Sequence, residues 1–166
     1  MTAIHTTVES PIGELTVVAD EGRLIGLYFP HHWSKPDRST FGPRTDTGFD
    51  GVKRQLGEYF AGTRQRFDVP LDARGDEFQH RVWGLIDRIP YGQTATYGEL
   101  ARELGDPALA KDVGVAVARN PLCVIVACHR VVGRDGKLTG YAGGLTRKRS
   151  LLALEVRAAQ RSATLF

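Results

Sequence analysis

The chain has 166 residues, 42% apolar and 25% charged, a length and balance that suit one domain or two small ones sharing a core and exclude a disordered chain. No apolar run approaches the roughly 18–20 residues of a membrane helix, the start Met1-Thr2-Ala3-Ile4-His5 lacks the basic-then-apolar order of a secretory signal, and the two cysteines, Cys123 and Cys128, are too few for a disulfide scaffold or a four-cysteine zinc site, so a reduced, cytoplasmic protein is expected. The net charge of +3 is uneven: residues 1–75 carry 9 basic and 10 acidic side chains, residues 76–166 carry 13 and 9, and the C-terminal excess is compatible with a polyanionic partner.

Thr6 to Tyr28 reads as strands. Pro11-Ile12-Gly13 and Asp20-Glu21-Gly22 punctuate it, leaving Leu15–Ala19 and Leu24–Phe29 as a hairpin or meander. Residues 30–48, rich in Pro, Ser, Thr, Gly and charge, predict a long surface loop. Phe49 to Ala61 places apolar residues at 49, 52, 56, 59 and 60, the spacing of a helix with one buried face. Phe67 to Leu71 suits one more strand. The period changes at Asp72-Ala73-Arg74-Gly75, so a boundary is expected there. Residues 1–73 predict an α/β domain with a small antiparallel sheet and one helix, and residues 74–166 a mostly α-helical domain.

In the second part, Phe78, Val82, Leu85, Ile86 and Ile89 share a helical face that Pro90-Tyr91-Gly92 stops. Thr96-Tyr97-Gly98-Glu99 has the form of a capping box opening a short helix to about Leu104. Gly105-Asp106-Pro107 turns the chain into a second helix reaching about Arg119, with Pro107 suited to its first position. Val124 to Ala127 predicts a buried strand or extended core segment. Gly140 to Gly144 predicts a tight, exposed backbone loop, and Arg147 to Ala159 a last helix.

The helix pair over 97–119 has a helix-turn-helix pattern, which an ordinary packed pair shares. Its second helix is crowded with small residues, suited to close approach either to a nucleic-acid groove or to another helix. Cys128-His129 follows an apolar run. A cysteine there is either core packing or a nucleophile, and a nucleophile needs a base or a positive charge to form its thiolate. Strand neighbours face opposite ways, so His129 serves Cys128 only if the strand ends or bends there, or through a water. Glu155 on the last helix is suited to hold the other imidazole nitrogen and set its tautomer. With no further cysteine nearby, no metal site is expected.

The combination is more specific than its parts. Asn120-Pro121, Cys128-His129-Arg130-Val131-Val132-Gly133, Thr139-Gly140-Tyr141-Ala142-Gly143-Gly144-Leu145, and Lys148 with Leu151-Leu152-Ala153-Leu154-Glu155 closely resemble the O6-alkylguanine-DNA alkyltransferases. So do Phe78-Gln79, Val82-Trp83, Ile89-Pro90-Tyr91-Gly92 and Thr96-Tyr97-Gly98-Glu99-Leu100-Ala101 upstream, and Ser10-Pro11-Ile12-Gly13 and Tyr59-Phe60-Ala61-Gly62 in the N-terminal part. The resemblance covers nearly the whole chain and is strongest over 76–156.

The resemblance implies a repair protein that moves the alkyl group from O6-alkylguanine in DNA, and less well from O4-alkylthymine, onto its own cysteine, once per molecule. By it, Cys128 is the acceptor, His129 draws the thiol proton through a water, and Glu155 orients that histidine. Asn120 bonds the backbone on either side of the active turn, and Tyr97 protonates guanine N3 as the base leaves. The carbonyls of Cys128 and Val131 accept from the guanine amine, and Tyr141 and Ala142 belong to the loop that closes over the base. Cys123 is read as packing near that pocket. Ala110, Lys111, Gly114, Ala118 and Arg119 of the second helix are implied to enter the minor groove of double-stranded DNA while the base rotates out. The implied protein is a monomer with no cofactor, no zinc and no membrane partner, and cooperative loading on DNA is left open.

Three departures from the family pattern carry consequences. Lys111-Asp112 stands where the family has Arg-Ala, replacing a planar stacking group by a point charge and adding a carboxylate to a helix meant to face phosphates. Ala127 stands where the family has Pro, which frees its φ. The alternative reading is therefore a divergent alkyltransferase-like protein with weakened duplex binding, recognising alkylated bases or using another alkylated substrate. The presence of Cys128 argues against a relative that only recognises damage, and the apolar second helix argues against a plain regulator.

Overall fold

Alternation of apolar residues builds the first layer. In the computed structural model of the chain, which describes residues 3–33 and 35–164, β1 (Ile4–Val8), β2 (Leu15–Asp20) and β3 (Arg23–Tyr28) form an antiparallel meander in the order β1-β2-β3. Ile4 pairs with Ala19 and Val8 with Leu15, and a bulge between Val18 and Ala19 shifts the pairing to β3. The central strand is covered on both faces. Leu15, Val17 and Ala19 enter the main core with Val52, Leu56 and Tyr59 of α1 (Asp50–Phe60), while Val18 on the other face packs with Tyr28 and Phe41.

That second cluster corrects the reading of residues 30–48 as surface. The segment is largely irregular, but Phe41, at the end of a 3₁₀ turn over Arg38–Phe41, is buried and stacks on Tyr28 with ring centroids 5.4 Å apart. The strand expected over 67–71 is also absent. Buried Gln55 holds the Asp68 backbone through both its donor and its acceptor, at 3.0 and 2.8 Å, and Leu71 makes a single bridge to Leu24. A side chain that satisfies both polar groups of a residue removes the reason to ladder.

The second half is helical. A capping box of Asp76 and Gln79 opens α2 (Glu77–Ile86), which ends nearly a turn before the expected stop. Thr96 and Glu99 cap α3 (Tyr97–Glu103) reciprocally, at 3.0 and 3.1 Å. A turn and a 3₁₀ segment over Pro107–Leu109 lead into α4 (Ala110–Ala118). Trp83 of α2 donates its indole N–H to the Ala116 carbonyl at 2.9 Å, tying α2 to α4. A two-residue parallel ladder of β4 (Ala95–Thr96) and β5 (Val131–Val132), with no sequence signal, fastens the start of α3 to the segment after Cys128. The last helix, α5 (Leu145–Thr164), overruns its expected span at both ends.

The two halves share one continuous apolar cluster. The Leu27 amide donates to the Pro121 carbonyl at 2.8 Å, and Leu27 bridges Leu122, so the sheet edge abuts the segment that leads to Cys128. Among the described residues no helix is long and apolar enough to cross a membrane.

Candidate active site

Residues 120–130 form a buried turn, neither the strand nor the extended segment expected over 124–127. The Asn120 side chain accepts from the Leu122 amide at 3.0 Å and donates to the Val126 carbonyl at 2.9 Å. Those two bonds occupy backbone groups a strand would have paired. The chain doubles back between them, with Val126 N–H on Leu122 O at 2.8 Å and Val124 at φ 74°. A β-branched residue in the left-handed region is held there only by its surroundings. Ala127 sits at φ −77°, close to the angle a proline ring would impose, so the turn keeps that conformation without the ring. A 3₁₀ turn then begins at Cys128 and runs to Arg130, so Cys128 and His129 do not face opposite ways as strand neighbours would.

Behind Cys128, His129, Arg130 and Glu155 are all buried. His129 Nε2 donates to Glu155 Oε2 at 2.7 Å, and Arg130 donates to the same carboxylate at 2.8 and 3.2 Å and to the Ile89 carbonyl at 2.8 Å. The Tyr59 hydroxyl of α1 donates to Glu155 Oε2 at 2.6 Å. Burial pushes the carboxyl upward, but the facing imidazole and guanidinium outweigh it and hold Glu155 down to about 2. Burial lowers His129, despite its carboxylate partner. At neutral pH the arrangement is therefore a neutral imidazole with its proton on Nε2, aimed at a carboxylate. Nδ1, buried and without a hydrogen-bond partner among the described residues, keeps a free lone pair.

Cys128 opens onto a cavity of about 420 Å³ lined by Tyr97, Gly114, Val117, Ala118, Gly140, Tyr141, Ala142 and Trp33. Tyr97 is the first residue of α3, and its hydroxyl accepts from Thr139 at 3.4 Å. The loop over 140–144 is less exposed than expected. Ala142 and Gly143 are buried, the Ala142 carbonyl accepts from the Trp33 amide at 2.8 Å, and a Cβ on Gly143 would overlap the Phe29 ring. Lys148 is fully buried, and its ammonium donates to the Val131 carbonyl at 2.7 Å and to Gly140 O at 3.2 Å. The two carbonyls that the family resemblance implies for the guanine amine are thus engaged already: Val131 O by Lys148, and Cys128 O by the Val131 amide. Each retains one lone pair.

On α4, Ala110, Gly114 and Ala118 share one face at helical spacing, half-buried, and Gly114 and Ala118 reach the cavity. Lys111 is exposed beside them. Asp112 lies on another flank, in a groove with Asp76, Phe78, Gln79 and Arg119, and Arg119 also lies over the Trp33 ring at 5.6 Å. Sequence reasoning passed over Tyr59, Arg130 and Trp33. Tyr59 and Arg130 stood inside quoted motifs, and Tyr59 also on the apolar face of its helix, but neither signal pointed to Glu155.

Comparison with known proteins places this architecture. Residues 3–73 match the 6-O-methylguanine DNA methyltransferase, ribonuclease-like domain, and residues 77–157 the DNA binding domain of the same family. The methylated-DNA–protein-cysteine methyltransferase of Mycolicibacterium paratuberculosis is 49% identical over 164 residues, covering 98% of each chain. That of Mycobacterium tuberculosis is 47% identical over 163 residues, again 98% of each. The crystal structure of Mycobacterium tuberculosis O6-methylguanine methyltransferase superposes with a TM-score of 0.87 at 45% identity, over 95% of this chain and 94% of that one. Mycobacterium tuberculosis OGT in complex with DNA gives 0.86 at 46%, over 93% and 94%. The chain belongs to the 6-O-methylguanine DNA methyltransferase family.

Proposed function

We propose that this protein repairs O6-alkylguanine in DNA by a single, self-consuming transfer to Cys128. The observation that carries the reading is a buried cysteine on an apolar cavity large enough for a base, backed by a neutral histidine held by a carboxylate. The Cys128 proton passes through an intervening water to Nδ1 of His129, whose Nε2–H leans on Glu155. The sulfur attacks the alkyl carbon, the S–C bond forms as the C–O6 bond breaks, and the electron pair moves into the guanine ring, where Tyr97 donates a proton to N3. The thioether has no leaving group, so each molecule acts once.

Asn120 shapes the turn that presents the sulfur. Tyr141 and Ala142 close over the base, and Val131 O meets its amine. Double-stranded DNA meets α4 through the minor groove. Small residues at 110, 114 and 118 admit the backbone there, while Lys111 and Arg119 supply positive charge. The protein acts as a monomer in the cytoplasm, with residues 1–73 bracing a site carried by 74–166.

The test is intact mass after incubation with an O6-methylguanine oligonucleotide. A gain of one methyl, localised to Cys128 by fragmentation, is expected. Cys128→Ser is expected to fold normally and gain nothing, because a neutral hydroxyl is a far weaker nucleophile. Methylation of the serine variant, or of another residue in the parent, overturns the assignment.

A further inference from the structure

The active cysteine is not alone. Cys123 Sγ lies 3.8 Å from Cys128 Sγ, and both thiols are buried. Their proximity comes from the doubled-back turn that Asn120 holds, which brings together two residues a strand would have kept well apart. In the neutral pair the Cys128 S–H points at Cys123 Sγ, and the Cys123 S–H points at the Asn120 carbonyl, also 3.8 Å away. If Cys128 loses its proton, the Cys123 thiol, 3.8 Å away, can turn its S–H from the Asn120 carbonyl onto that sulfur.

We infer that Cys123 is a catalytic residue of the proposed alkyl transfer, donating its S–H to the Cys128 thiolate and so raising the fraction of acceptor that is ready to attack at neutral pH. The Cys123 proton stays on Cys123 throughout. The hydrogen bond is charge-assisted while Cys128 is a thiolate and weakens once the sulfur becomes a thioether. The Cys128 thiol is lowered, first by this bond, and then by Asn120 and the Lys148 ammonium against the effect of burial, while Cys123 is pushed well up. The pair thus gives up its first proton from Cys128 and keeps its second. The other titratable groups facing it are Tyr28 from β3, Tyr141 from the 140–144 loop with Tyr59 behind it, Lys148 from α5, and His129 with its Glu155 and Arg130. All of these residues remain in a Cys123 variant, with Tyr141 losing Cys123 as a hydrogen-bonding neighbour in Cys123→Ala and keeping a hydroxyl there in Cys123→Ser.

A hydrogen bond donated to the thiolate has a kinetic signature that packing alone does not produce. A lower thiol pKa yields more thiolate but a weaker nucleophile, with a sensitivity of about 0.4–0.5. For a shift of about one pH unit, the thiolate fraction at neutral pH changes about tenfold and the intrinsic reactivity about threefold in the opposite sense. Removing the donor therefore slows the reaction at neutral pH by about threefold and raises the alkaline plateau by about threefold, so the two profiles cross.

The experiment follows alkylation of Cys128 by iodoacetamide between about pH 6 and pH 10, localised by fragmentation, in the parent, Cys123→Ala and Cys123→Ser. Methyl transfer from an O6-methylguanine oligonucleotide is followed in parallel. Cys123→Ala is expected to move the midpoint up by about one pH unit with crossing profiles, and Cys123→Ser, which keeps a donor, to restore the parent profile. An alanine profile that matches the parent, or equal shifts in alanine and serine, overturns the inference. Because it rests on the repair reading, the arms separate the two failures: absence of methyl transfer from the parent at every pH defeats that reading, while the iodoacetamide profiles still decide the role of Cys123.

Discussion

A carboxylate that accepts from an imidazole, a guanidinium and a phenol gives up its charge reluctantly. Glu155, held down to about 2 against an ordinary 4.5, contributes stability that is full above about pH 4.5 and is lost as the pH falls toward 2. The sign follows from the unfolded chain, which takes up the proton first. Glu155→Gln is expected to flatten that part of the stability profile and to cost about 3–5 kcal/mol at neutral pH, because it leaves the Arg130 charge buried without its counterion. Denaturant titrations of parent and variant at neutral pH and at several points below pH 4.5 check both statements. A variant with an undiminished acid slope would mean that another carboxylate carries it.

Two elements set what reaches the sulfur. The 140–144 loop is pinned on Phe29, on the Trp33 amide and on Arg147, whose guanidinium donates to Gly143 O at 3.0 Å and to Ile12 O at 2.7 Å. Gly143→Ala drives a methyl into the Phe29 ring. A loss of about 1–3 kcal/mol and slower methyl transfer are expected, both recovered in part by adding Phe29→Leu. Thermal midpoints and transfer rates of the single and double variants measure the coupling. The other element is α4. Lys111→Arg with Asp112→Ala is expected to speed repair of duplex DNA and to leave reaction with a free O6-alkylguanine nearly unchanged. A planar guanidinium can fill the gap left by a rotated base, and removing a carboxylate eases docking on phosphates. The Asp112→Ala share is expected to appear as tighter binding at low salt that fades as salt is added. Equal acceleration of both substrates would mean that the pair acts on the cavity itself.

At the scale of the molecule the N-terminal half is a working part of the site. Its α1 supplies the Tyr59 hydroxyl to Glu155, its loop supplies Trp33 to the cavity wall, and its sheet edge abuts Pro121 and Leu122. Leu27 is fully buried at that junction. Leu27→Ala is expected to cost about 2–5 kcal/mol by opening a cavity between the halves. The loss should show as faster amide exchange over residues 120–128 than over α3, which exchange measurements followed by mass spectrometry can resolve. Uniform acceleration across both segments would show that the halves unfold as one unit and that the junction has no particular hold on the turn.

The sequence alone determined the local elements and the chemistry on offer. Helical spacing over 49–61, the Thr96–Glu99 cap and the order of motifs around Cys128-His129 are relations among near neighbours, and neighbours three or four apart meet in any helix whatever it packs against. Tertiary structure decided how those groups are partnered. Tyr59 and Glu155 lie 96 positions apart and carry no shared pattern, and Gln55 and Asp68 lie 13 apart. The apolar run over 124–127 failed as a strand for the same reason. Its period is ambiguous, and the choice between ladder and turn fell to the Asn120 amide, which binds only once the surrounding core has brought the backbone back to it. That same closure set two thiols side by side, a contact that no spacing of five residues in a strand would have announced.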